Sequence, residues 1–255
     1  MSKLLLIVCL AVTAAWAVEP QPAQKTAAEL AWEAIPDTIP DADQVTVAKE
    51  YLDKYPNEIP LLRNVQGILN RKSDLTVEFW KERMDKTPTS ANRYLYARKT
   101  GDAAEMKTQS EWIMKNDSDN FWGYYLAAVA EWSKEEHDAK VVANFFEQAI
   151  AKDPSRPEGW GYAAEAYEET KDWDNALRCY QASMVVEPES SSPKMSMMGI
   201  YAQKRDADKY FAMAKEVLPI EPPLELSLAT YGSDRQITTA DLIGKYSVVE
   251  MFTYW

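Results

Sequence analysis

Residues 157–188 read PEGWGYAAEAYEETKDWDNALRCYQASMVVEP, and this stretch decides the fold. Trp160, Ala163, Ala164 and Tyr167 recur at the three-to-four-residue spacing that lines up one face of a helix. A turn falls at Lys171–Asp174, where the carboxylate of Asp172 or Asp174 is placed to cap a second helix. That helix puts Ala176, Leu177, Tyr180, Ser183 and Met184 on one face, and Pro188 closes it. Bulky side chains alternate with small ones. The large ones fill the space between two antiparallel helices, while Ala163, Ala164, Ala176 and Ser183 let the backbones approach.

This pattern resembles the tetratricopeptide repeat, W-x2-L-G-x2-Y followed by A-x3-F, a small residue and P. Trp160, Tyr167, Ala176, Tyr180 and Pro188 match it, with Ala163 and Ala164 in the Leu and Gly places. One hairpin cannot bury its apolar face alone, so neighbours are required. The preceding stretch VVANFFEQAIAKDP supplies one. Phe146 to Tyr180 and Pro154 to Pro188 are both steps of 34 residues, and Phe146, Ala149 and Pro154 fit the pattern. Its first half, FWGYYLAAVAEW, aligns Trp122-Gly123-Tyr124 with Trp160-Gly161-Tyr162 at a step of 38. That register implies about four residues inserted near Ser133–His137.

Upstream, helical periodicity predicts elements over Thr26–Ile35, Asp41–Tyr55, Ile59–Asn70, Asp74–Lys86, Ser90–Lys99 and Ala103–Lys115, with Gly101-Asp102 as a turn. Downstream, Ser190–Lys204 and Asp206–Val217 form a final pair. No proline occurs between Pro88 and Pro154 or between Pro157 and Pro188, so the helices run uninterrupted and the prolines punctuate. The expected architecture is mainly α: a tetratricopeptide-like solenoid of helical hairpins over 43–219, preceded by a linker and short helix over 18–42.

Composition sets the outer bounds. The 255 residues are 46% hydrophobic and 27% charged, with a net charge of −12. So acidic a chain repels phosphate backbones, and no nucleic-acid partner is expected. Met1–Ala17 carries Lys3, an apolar run and Ala15-Trp16-Ala17, the features of a cleaved secretory signal. The mature chain is then exported, periplasmic or secreted, without stable membrane insertion. Signal removal takes Cys9 and leaves Cys179, which rules out an internal disulfide. Cys179 reads as a small packing residue in a repeat helix. His137 lies in a charged turn and reads as a solvated loop residue, and the acids around it, Glu131 to Asp138, as a solvated face. No metal ligand set, phosphate loop or cofactor motif is present, so no metal or cofactor is expected.

After Pro219 the composition changes. Leu226–Ala229 and Gln236–Thr239 read as short strands around Tyr231–Asp234, and Val248–Phe252 as a strand covered on both faces. The order Leu226, Leu228, Gly232, Asp241, Leu242, Gly244, Lys245, Val248, Val249, Phe252, Trp255 resembles the opening of exported thioredoxin-like redoxin domains. The resemblance implies an incomplete β segment over 220–255, with the family's C-x-x-C lying just past Trp255. It also places Glu250 where many thioredoxins keep a buried acid; in an incomplete sheet the same side chain faces solvent. Glu250 and Trp255 would flank a catalytic site that this chain does not contain.

Two functions follow. One is an interaction scaffold whose groove takes a protein or peptide, with Tyr124, Tyr162, Asn144 and Asn175 as the amphipathic residues suited to line it. In that reading the chain is the N-terminal part of a thiol–disulfide oxidoreductase, with no such activity of its own. The alternative is a stand-alone peptide-binding or assembly protein without a redox role.

Overall fold

The computed structural model describes residues 18–35, 40–73 and 75–217, and the backbone of 227–229 and 236–238. Twelve helices are described. They are α1 Ala27–Glu33, α2 Asp41–Lys54, α3 Ile59–Lys72, α4 Val77–Lys86, α5 Ser90–Thr100, α6 Ala103–Asn116, α7 Phe121–Trp132, α8 Ala139–Lys152, α9 Pro157–Glu169, α10 Trp173–Val186, α11 Ser192–Gln203 and α12 Ala207–Val217. Strands β1 Ser227–Ala229 and β2 Gln236–Thr238 pair antiparallel, with Leu228 opposite Ile237. From α5 onward each helix packs on the next, so α5/α6, α7/α8, α9/α10 and α11/α12 stack as successive hairpins. Among the described residues no helix is long and apolar enough to cross a membrane.

One turn chemistry recurs at the tight end of these hairpins. The carboxylates of Asp102, Asp138 and Asp172 cap α6, α8 and α10 by accepting backbone N–H bonds from Glu105, Lys140 and Asn175. Asp206 does the same for Lys209 at the start of α12. Asp172 is therefore the cap and Asp174 is not. Ahead of the cap the chain turns through the left-handed region, at Gly101 with φ 66°, Lys171 with φ 58° and Arg205 with φ 56°. Lys171 and Arg205 stand 34 residues apart in the same turn: Asp172 N–H bonds back to Tyr167 O, and Asp206 N–H to Tyr201 O. This is the sharp reversal that ends one helix and starts its partner.

Packing follows the repeat pattern. Trp160, Ala163, Ala164, Ala176, Tyr180, Phe146 and Ala149 are all buried. Gly159 is required by close approach, since a Cβ there would meet Ile150 Cγ1 at 2.9 Å and a Phe121 ring carbon at 3.0 Å. Cys179 is buried as a free thiol among these residues, as its packing role requires. Tyr167 is only half-buried: its ring packs against the core while its hydroxyl donates to Glu147 at 3.1 Å.

The structure corrects several local readings. The segment from Val18 to Lys25 is extended, but it is strapped down rather than a free linker. Gln21 N–H donates to Pro154 O at 3.4 Å, Ala23 N–H to Val186 O at 3.0 Å, and Val18 packs on the core. Helix α4 begins at Val77 instead of Asp74, which itself lies outside the described residues. Helix α11 begins at Ser192, where Pro193 occupies the first turn and suits a helix start but not an interior. His137 is held rather than simply solvated, with Nε2 2.7 Å from Glu169 Oε1. Glu131 is engaged by Lys134 and by the Asp138 N–H, and no acidic cluster of metal-binding geometry occurs among the described residues. The signal segment Met1–Ala17, Cys9, the stretch 219–223, and Glu250 with Trp255 lie outside the described residues.

Candidate functional site

Three observations locate a shared inner surface. Arg63 on α3 and Glu158 on α9 are 95 residues apart in sequence, yet Arg63 Nη1 lies 2.5 Å from Glu158 Oε1. Helices α3, α5 and α7 meet along one side. An aromatic row then joins them to α9: Tyr94 on α5 lies 6.4 Å from Tyr125 on α7, and Tyr125 lies 5.9 Å from Tyr162 on α9. Helices α3, α5, α7 and α9 therefore face a common centre, closed by one ion pair. The Arg63 guanidinium is seated by rings, 4.5 Å from the Trp122 centroid and 5.3 Å from that of Tyr125.

The ion pair divides this surface. On one side is a 240 Å³ cavity lined by Arg63, Tyr94, Arg98, Tyr125 and the apolar groups of Met106, Leu126 and Val129. On the other is a 360 Å³ cavity bearing Glu158, Glu165, Glu187, Tyr162 and Tyr180. Arg63 and Glu158 both also line a third cavity of 240 Å³, beneath Ala23–Lys25. Guanidinium groups thus mark one side and carboxylates the other. Burial, reinforced by Glu168, pushes the Glu165 carboxyl above its ordinary range. Burial likewise raises Tyr94 and Tyr125, so both phenols keep their protons across the physiological range.

The residues expected to line a groove do not converge. Tyr162 sits on the inner surface, 37% exposed and stacked on Phe146 with centroids 5.7 Å apart. Tyr124 is elsewhere: its hydroxyl donates to Ser118 O at 3.2 Å, and Lys152 lies over its ring. Asn144 lines a separate 520 Å³ cleft between α8 and α10, with Glu147, Tyr167 and Arg178. Asn175 is occupied at the start of α10, its side-chain amide donating to Asp172 at 2.8 Å.

The register behind that expectation is the cause. Trp160 Nε1 donates to Pro154 O, six residues back, just as Tyr124 reaches Ser118. Tyr124 therefore corresponds to Trp160, not to Tyr162, and Gly123 corresponds to Gly159. Each of those glycines would drive a Cβ into an isoleucine of the preceding helix, Ile113 and Ile150 respectively. The step between these first helices is 36 residues, so the longer turn before α8 holds two extra residues rather than four.

No protein-family model and no curated protein sequence matches the chain. Solved structures do. A crystal structure of MamA superposes with a TM-score of 0.51 at 14% identity, over 63% of this chain and 93% of that one. MamA from residue 41 to its end, from Desulfovibrio magneticus RS-1, gives 0.50 at 13% identity, over 72% and 98%. With the hairpin stacking and the 34-residue turn repeat, these fix the architecture. The fold is a tetratricopeptide-repeat solenoid. A thermophilic TPR protein from Thermus thermophilus scores 0.49 at 11% identity, over 72% of this chain and 92% of that one.

The inner-surface residues that periodicity missed are Arg63, Tyr94, Arg98, Tyr125 and Glu158. Tyr94 and Arg98 stand four apart on one helix, a visible spacing. Nothing local brings them to Arg63 or Glu158.

Proposed function

We propose that the chain is a protein-interaction scaffold that seats an extended segment of a partner protein along the inner surface of its repeats. The Arg63–Glu158 bridge carries this reading, because it joins α3 to α9 across a surface lined with ring faces and unlike charges. Ring faces supply contact area at low entropic cost, and partly buried charges supply orientation. The polarity favours a segment with an acidic group toward α3–α7 and basic side chains toward Glu165 and Glu187 on α9–α11. Tyr162, exposed between the two, is its central contact.

The finer reading rests on sequence. We take Met1–Ala17 as a cleaved export signal and 220–255 as the opening of a thioredoxin-like domain, which makes the repeats the partner-presenting part of an exported thiol–disulfide oxidoreductase. The two short strands read from the sequence there pair antiparallel, with Leu228 opposite Ile237. A stand-alone assembly protein is the other reading, and a C-x-x-C encoded directly after Trp255 separates the two.

The scaffold is tested by selecting peptides from a displayed library on the purified chain and mapping them by hydrogen exchange. Protection of α5, α7 and α9, lost in Tyr162→Glu, is the expected result. Protection confined to the cleft of Asn144 and Arg178 would move the site to that cleft and refute the assignment.

A further inference from the structure

The strap over residues 18–25 ties the start of the described chain to its third repeat hairpin. Gln21 N–H donates to Pro154 O ahead of α9, and Ala23 N–H to Val186 O at the end of α10. The strap leads directly into α1, where Glu29 lies 3.8 Å from Arg156. The two donors stand two residues apart, the spacing at which an extended chain points its N–H groups the same way. Pro20 and Pro22 hold the alternate places, where an N–H would face away from the repeats. Proline has no N–H, so the outward edge offers no donor to a further strand. Its ring also fixes φ, so less backbone freedom is lost when the strap docks.

The position of the strap matters more than its bonds. Arg63, Arg98 and Glu158 line the 240 Å³ cavity beneath Ala23–Lys25. Arg63 and Arg98 also wall the cavity toward α5 and α7, and Glu158 the one toward α11. The strap thus lies over the junction of both. Lys25 shares this space with Glu187, the placement proposed above for a basic side chain of a partner. Its hold is slight. The side chains from Gln21 to Lys25 are all exposed, and the segment is fixed by two backbone bonds and by Val18, which is partly buried against the core. Segments with so few buried contacts open far more readily than the whole protein unfolds.

We infer that residues 18–25 are an internal competitor, an extended segment of the chain that occupies the entrance to the inner surface and leaves when a partner segment is seated. The inference rests on the scaffold reading and adds its regulation. Apparent affinity for a partner falls in proportion to the fraction of molecules whose strap is closed to it.

The test uses the full chain and its Gln21→Pro/Ala23→Pro variant, which removes both donors while keeping φ in the extended range. Helix content is compared first. The probes are the library peptides that protect α5, α7 and α9. In the parent, these peptides should speed amide exchange at Gln21 and Ala23 while slowing it on the three helices. The double variant should bind them roughly fivefold or more tighter, because two hydrogen bonds no longer favour the closed strap. Glu19→Pro stiffens the strap but leaves both bonds, and should bind as the parent does. Peptide binding with Gln21 and Ala23 exchange unchanged, equal affinity in parent and double variant, or an equal gain in Glu19→Pro would each overturn the competitor while the scaffold stands. If the double variant loses helix content, exchange at Gln21 and Ala23 in the parent decides alone. Peptides recovered only on the double variant would support both readings. If no peptide protects the inner surface in either protein, the scaffold fails and the competitor with it.

Discussion

Tyr124 and Trp160 hold the same place in successive repeats. Each sits on the fourth residue of the first helix of its hairpin and donates to the backbone carbonyl six residues back, Ser118 O at 3.2 Å and Pro154 O at 2.9 Å. The bonds tie each helix to the loop that delivers it. The sites differ in burial, and burial sets what each is worth. Trp160 is 1% exposed and Tyr124 partly exposed. Trp160→Ala is therefore expected to cost roughly 3–5 kcal/mol. Tyr124→Phe removes only the hydrogen bond and costs about 1 kcal/mol. Urea unfolding of both variants checks the ratio, and equal losses would refute the correspondence.

Two glycines of α9, two residues apart, should respond oppositely to alanine. At Gly159 the added methyl meets Ile150 and Phe121 at 2.9 and 3.0 Å, whereas nothing lies within 4 Å at Gly161. Gly159→Ala is expected to destabilise by roughly 1–3 kcal/mol through overpacking. Gly161→Ala should stabilise by about 0.5–1 kcal/mol, because alanine loses less backbone entropy in a helix. Thermal unfolding of the pair gives the signs directly.

The Arg63–Glu158 bridge joins helices far apart in the chain, with both side chains mostly buried. Glu158→Gln leaves Arg63 on its aromatic seat without its counter-charge, at an expected loss of roughly 1–3 kcal/mol. Hydrogen exchange should then rise on α3 and α9 together. A rise confined to α9 would show that the bridge does not couple the two ends.

Cys179 gives a pH dependence. Burial pushes its thiol up to about 12, while an unfolded chain ionises it near the usual cysteine value of about 8.5. The folded state thus favours the neutral thiol. Its contribution is whole below pH of about 8.5 and is lost as pH rises toward 12, with a slope approaching about 1.4 kcal/mol per pH unit. Denaturant titrations between pH of about 7.5 and 9, below most tyrosine ionisation, should show the onset of this decline in the parent and flatten it in Cys179→Ala. The same burial withholds the thiolate needed for exchange chemistry. Iodoacetamide labelling of Cys179 should therefore keep pace with global unfolding, and the purified chain should not accelerate insulin reduction by dithiothreitol. Labelling faster than unfolding would place the thiol at the surface.

Much of this protein was legible in the chain itself. Helix periodicity, the proline punctuation and the step from Phe146 to Tyr180 are local or depend on one repeat length, so they locate the hairpins and predict the burial of Trp160, Ala176 and Cys179. Tyr162 was recognisable as an exposed aromatic. The register of Tyr124 was not, because the Trp122-Gly123-Tyr124 triplet imitates Trp160-Gly161-Tyr162 while backbone bonding and glycine contacts set the pairing two residues away. The strapping of Gln21 and Ala23 to Pro154 and Val186 was equally hidden, since extended segments carry no periodicity that names a distant carbonyl. The inner surface is the clearest case. A side-chain pattern fixes which face of each helix is buried against its neighbour, but polar positions such as Arg63, Arg98 and Glu158 meet only when small rotations between repeats accumulate into a curve. That curvature is a sum over many contacts, so it belongs to the folded solenoid and to no single stretch of sequence.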